Sequence, residues 1–124
     1  MQYLLLVYID PALLAAAEPG AFEVEMRECL QNADEMAREG RLLGSQQLED
    51  PGTARTVRVR GGKTSVFDGP FAETKEVLAG YNIIEAGSLE DAVSMAREFP
   101  WTQYGSIEVR PIRDIAAVRR QVGA

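Results

Sequence analysis

The stretch Asp68-Gly69-Pro70-Phe71-Ala72-Glu73-Thr74-Lys75-Glu76, a tight turn followed by a charged segment, is the most function-like feature of the sequence. Asp68 can serve as a general base or orient a polar ligand if it is partly buried. It can equally cap its own turn, since Asp before Gly-Pro supplies local hydrogen bonds, a permissive φ and a fixed exit direction. The turn throws Phe71 in a set direction, toward the core. Glu73, Lys75 and Glu76 suit either the mouth of a polar pocket or a solvated loop held by weak ion pairs. Tyr81 lies just beyond, and an acid–base site could be built from Asp68 or Glu73 with it, though the sequence does not show that they converge. Arg110, two residues after Glu108 near the C-terminus, can hold a ligand carboxylate in bidentate fashion or pair with a carboxylate of the protein itself. Asp68, Phe71, Glu73, Lys75, Tyr81 and Arg110 are thus the candidate pocket residues, with no catalytic role assigned among them.

Other chemistries are narrowed by composition. The chain has no histidine and one cysteine. Zinc and most transition-metal sites are excluded on that ground, and no carboxylate spacing suggests calcium or magnesium. Gly61-Gly62 has neither P-loop nor dinucleotide spacing, so no cofactor is expected. Cys29 falls on the apolar stripe of a helix and reads as a small buried hydrophobe, without a histidine to activate it. Trp101 and Tyr104 form an aromatic pair that either walls a pocket or seals a subunit contact.

The whole chain bounds the problem further. It has 124 residues, 46% hydrophobic and 26% charged, the size and composition of one globular domain spanning 1–124. The net charge of −6 is uneven: residues 1–50 carry ten acidic and three basic side chains, while the remainder carries nine acidic and ten basic. An acidic total argues against direct binding of nucleic acid. Arg55, Arg58, Arg60 and Lys63 form one basic cluster; Arg110, Arg113, Arg119 and Arg120 form another. They are either solvated surface or a local attraction for a small anionic molecule. The apolar run Tyr3–Ile9 is too short for a signal peptide or a membrane span. A single cysteine fits a reducing compartment, and the expected location is cytoplasmic, with no membrane partner.

These side chains need elements to position them. Tyr3–Ile9 reads as a strand covered on both faces. Asp10-Pro11 starts a short helix. A long helix is predicted over residues 21–39, with Phe22, Met26, Cys29, Leu30, Ala33, Met36 and Ala37 on one stripe and Glu23/Arg27 and Asp34/Arg38 as i,i+4 pairs on the other face. Gly40 ends it. Strands are expected over 41–48, 54–60, 63–67, 80–86 and 106–112, with Gly61-Gly62 turning a hairpin. Ser88 caps a second helix with Asp91 three residues on, and Leu89, Ala92, Val93, Ala96 and Phe99 form its inner face. A short helix closes the chain. Setting the hairpin aside leaves β-α-β-β-α-β, the ferredoxin-like α+β pattern, with both helices on one face of an antiparallel sheet. The other face needs cover, and a second copy of the sheet supplies it, so a homodimer is expected.

The segment Asp68–Glu76, extended through Val77-Leu78-Ala79-Gly80-Tyr81, resembles the signature of the YCII-related family, in the branch named for its Asp-Gly-Pro-Phe motif. Tyr3-Leu4-Leu5-Leu6, Thr56-Val57-Arg58-Val59-Arg60, Ser88-Leu89-Glu90-Asp91-Ala92 and Ile107-Glu108-Val109-Arg110-Pro111 carry the resemblance over nearly the whole chain. It implies a ferredoxin-like fold that pairs into a dimeric α/β barrel, with a pocket beside the sheet. It also implies kinship with small enzymes that isomerise or eliminate on ring-derived acids through a histidine–aspartate pair. That pair cannot be carried over to a chain without histidine. Proteins with this motif often neighbour, or are fused to, alternative sigma factors, which implies a functional link of that kind. The expectation is a small-ligand-binding or regulatory protein. The alternative is a small isomerase or lyase acting on a carboxylated metabolite by other residues.

Overall fold

Alternation of side chains along the first strand sets the architecture. In the computed structural model, which describes residues 1–70, 72 and 74–124, strand β1 (Gln2–Ile9) buries Tyr3, Leu5 and Val7 on one face and half-buries Leu4, Leu6 and Tyr8 on the other. The elements that follow are α1 (Pro11–Ala15), α2 (Ala21–Arg38), β2 (Leu42–Gln47), β3 (Arg55–Arg60), β4 (Lys63–Asp68), β5 (Val77–Glu85), α3 (Leu89–Arg97), β6 (Gly105–Pro111) and α4 (Ile115–Val122). A four-stranded antiparallel sheet has the order β2-β5-β1-β6, while β3 and β4 form a separate two-stranded ribbon. With the ribbon set aside, this is the ferredoxin-like order, with helices packed on one face.

The core lies on that face. Leu5, Met36 and Ile84 are sealed from solvent, with Tyr3, Val7, Leu42, Ala92, Met95, Ala96, Phe99, Trp101 and Tyr104 around them. Helix α2 contributes Met36 fully and Phe22, Met26, Cys29 and Ala33 in part. Leu30, on the same stripe, stays half in solvent at 51% exposure. The stripe therefore does not press flat on the sheet; its N-terminal half stands off. Among the described residues, neither Glu23/Arg27 nor Asp34/Arg38 closes to ion-pair distance, in keeping with the small worth of exposed helix pairs.

Several local expectations are met by direct contacts. Asp10 Oδ1 accepts from the amide of Ala12 and caps α1. Ser88 Oγ accepts from the amide of Asp91 at the start of α3. Gly40 leaves α2 with φ +76°. Two differ. β5 begins at Val77 rather than near Gly80, because a bulge lets Leu78 and Val77 pair with Tyr8 and Ile9 beyond the regular register. In α3, Leu89 and Val93 are exposed and Met95 is buried instead. A nine-residue helix presents one narrow stripe, and Ala92, Met95, Ala96 and Phe99 occupy it. Among the described residues, no helix is long and apolar enough to cross a membrane.

Candidate functional site

Because α2 diverges from the sheet, a cavity of about 310 Å³ opens between them. Its roof is the inner stripe of α2, with Phe22, Met26, Cys29, Leu30 and Ala33. Its floor is the inner face of the sheet, with Val7 and Ile9 on β1, Gly80 and Asn82 on β5, and Ser45 and Gln47 on β2. Leu14 of α1 and the aromatic pair Phe99 and Trp101 close the ends. The volume is at the lower end of the range for small-molecule sites, which runs from about 300 to 1,000 Å³. Among the described lining residues none carries a charge. A small anionic molecule, the alternative reading of the arginine clusters, would meet no cation among these described lining residues.

Aromatic packing fixes one wall. The rings of Phe22 and Trp101 lie 5.8 Å apart between centroids, tilted by 42°, and Trp101 and Tyr104 lie 6.5 Å apart. These distances favour tilted contacts over parallel stacking. Pro100 opens the 3-10 turn that holds Trp101, so the indole is placed by a rigid local element. Burial pushes the Cys29 thiol's pKa up, and the neighbouring Trp101 side chain lowers it by less. Behind this wall the Tyr104 phenol faces the Glu25 carboxylate. Their hydrogen bond, then burial, then the negative charge of Glu25 all raise the phenol's pKa. Glu25 Oε2 is buried without a hydrogen-bond partner among the described residues.

The sequence candidates do not converge on this cavity. Asp68 ends β4 with its side chain 86% exposed, and Arg55 Nε, opposite it in the ribbon, lies 3.0 Å from its Oδ1. The expected turn cap falls on the amide of Phe71, outside the described residues. The turn itself is held by Gly69, at φ +91°, whose amide donates to Ala54 O and whose carbonyl accepts from Thr56 Oγ1. Lys75 is exposed and reaches Asp10. Arg110 is exposed on β6 and pairs with Glu108 of its own strand, and that bond raises its pKa. Among the described candidates, Tyr81 alone borders the cavity. Phe71 and Glu73 lie outside the described residues. No group of three His, Cys, Asp or Glu among the described residues is placed to hold a metal ion.

The family model for the YCII-related domain matches residues 1–116. The chain belongs to the YCII-related family. It is also 37% identical, over 116 residues, to an uncharacterised protein of Rhizobium meliloti (strain 1021), spanning 90% of this chain and 92% of that one. Among solved structures it is similar to TftG, a 5-chloro-2-hydroxyhydroquinone dehydrochlorinase from Burkholderia phenoliruptrix AC1100 in complex with 2,5-dihydroxybenzoquinone. That likeness has a TM-score of 0.45 and 14% identity, over 91% of this chain and 94% of the other.

Two site features of this YCII-related chain escape a motif-led reading. Asn82 lies 7% exposed on the cavity floor, and Asp10, 4% exposed, sits in the chain between the lining residues Ile9 and Pro11. A signal for Asn82 was present in Tyr81-Asn82-Ile83-Ile84. Period-2 alternation puts Asn82 on the same face as the fully buried Ile84, so an amide occupies a core-facing position. Asp10 is explained by its cap, which hides that its carboxylate is buried.

Proposed function

We propose that this YCII-related protein binds a small, uncharged and mainly apolar molecule between α2 and the sheet. The observation that carries this reading is the 310 Å³ cavity lined by aromatic, sulfur-bearing and aliphatic side chains without a charged one among those described. An apolar ligand gains there by leaving water, while a carboxylate would lose hydration without a countercharge. Binding rather than acid–base catalysis is supported by the lining itself, where Cys29 presents a thiol made less acidic by burial and Tyr81, paired with Leu6, directs its phenol to the other face of the sheet.

A thermal-shift screen of neutral aromatics against their carboxylate counterparts tests the reading. At a hundredfold excess over Kd, a ligand stabilises the folded state by about 2.7 kcal/mol. Neutral compounds should raise Tm and their carboxylates should not. Ala33→Phe, which fills the roof of the cavity, should remove the effect. A shift that survives Ala33→Phe would place binding elsewhere.

The working unit in this reading is a homodimer. Support comes from the sheet face opposite the helices, where Leu4, Leu6, Tyr8 and Ile83 are only half-buried and Leu78 is 40% exposed within one chain. A contiguous apolar face of this kind marks an interaction surface. Light scattering should give twice the 13.6 kDa chain mass, and Leu6→Lys should return it to one.

A further inference from the structure

Asn82 is one of two buried polar side chains among the described residues. In the sheet it stands between Leu5 of β1 and Ser45 of β2. The Ser45 hydroxyl donates to Asn82 Oδ1 at 2.7 Å, which fixes the carboxamide and leaves Nδ2 with two N–H donors. The Ser45 bond engages the oxygen alone. Nδ2 is not sealed away, since the buried side-chain atom left without a partner among the described residues is Glu25 Oε2; its N–H groups are open to a new acceptor. Asn82 borders the cavity with Oδ1 engaged by Ser45, so Nδ2 is the group that the cavity's occupant can meet.

We propose that Asn82 Nδ2 is the recognition group of the cavity and that the ligand is a neutral carbonyl compound whose oxygen accepts from it. The proposal rests on the binding reading above and deepens it to a ligand class. The rest of the lining selects the same class. Phe22, Trp101 and Met26 cover an apolar body. A ligand that only donates would oppose the two N–H groups. A carboxylate would satisfy them but bury a net charge among apolar walls. A ketone or carboxamide oxygen satisfies the donors without that cost.

Acetophenone and ethylbenzene test the inference, since they differ by one carbonyl in place of a methylene. Trp101 is the sole tryptophan of the chain and lies on the cavity wall, so its fluorescence reports occupancy. Wild type should bind acetophenone about tenfold more tightly than ethylbenzene, the size of one well-made hydrogen bond. Asn82→Leu should reverse the order. Should that variant not fold, Asn82→Asp keeps the shape and the bond from Ser45 while exchanging the donors for an acceptor; it should lose acetophenone selectively. Equal binding of both probes, unchanged by either variant, overturns the carbonyl inference and leaves the cavity reading standing. Binding of neither probe overturns both.

Discussion

Lys75 Nζ stands 3.7 Å from Asp10 Oδ2, an exposed cation over a carboxylate whose side chain is 5% exposed. The contact ties the segment after the Asp-Gly-Pro turn to the end of β1. Asp10 is the hub of this corner. Its Oδ1 accepts from the amide of Ala12 at 3.0 Å, and its own amide donates to Tyr104 O at 2.7 Å. One residue thereby joins β1, the helix that closes the cavity, and the turn that carries Trp101.

The two partners should contribute unequally. Loss of the cap in Asp10→Ala should cost about 1–2 kcal/mol. Lys75→Ala should cost no more than about 1 kcal/mol, because its end of the pair is solvated. Urea unfolding of both variants measures this. Equal losses would mean that the ion pair, and not the cap, holds the corner.

Cys29 should be a slow thiol. Burial raises its pKa, so little thiolate is present near pH 8. It is the only cysteine, so alkylation by iodoacetamide reads it alone. The rate should fall well below that of the unfolded chain in urea. It should fall further when a cavity ligand is added, since the thiol is part of the lining. Alkylation as fast in the folded state as in urea would contradict the placement of α2 over the sheet.

The fold was readable because each element carries its own period. The stripe of α2, the alternation along β3 and the caps at Asp10 and Ser88 are local, and local rules decide them. The site was less readable because it arises from a misfit. No sequence period states that α2 stands off the sheet near Leu30, and that gap makes the cavity. Asp68 shows the converse. A dense cluster of polar residue types drew attention to a turn whose carboxylate pairs with Arg55 in solvent. Asn82, a single amide in an apolar strand, was the quieter and better pointer.

Tyr104 gives the protein an alkaline weakness. Its phenol pKa lies above the ordinary value of 10.0 because it donates to Glu25 from a buried site. A proton-bearing group with a raised folded pKa contributes fully below the unfolded value. That contribution is lost as pH rises from about 10 through the folded value. Tm should therefore drop as the solution passes pH 10. Tyr104→Phe should begin with a lower Tm at pH 8, where Glu25 loses its donor, and should then fall less steeply. Parallel curves for the two proteins would show that the phenol does not titrate against Glu25.

Glycine placement where β5 meets β2 allows a sharper test of the cavity floor. A Cβ added at Gly80 would sit 2.6 Å from the Gln46 carbonyl oxygen and 3.3 Å from Gln47 Cα, both backbone atoms that cannot swing aside. Gly80→Ala must push β2 away from β5. Forced repacking of this kind costs about 1–3 kcal/mol. It would also move Ser45 and Gln47, which line the cavity from β2, so ligand affinity should fall along with Tm. Gly44 is the internal control. A Cβ there meets Ile83 Cδ1 at 3.5 Å, an ordinary contact, so Gly44→Ala should stay within about 0.5 kcal/mol of wild type. If both alanine variants bind and melt like wild type, the β2–β5 pairing is looser than drawn. The floor of the cavity would then be adaptable, not fixed by strand register.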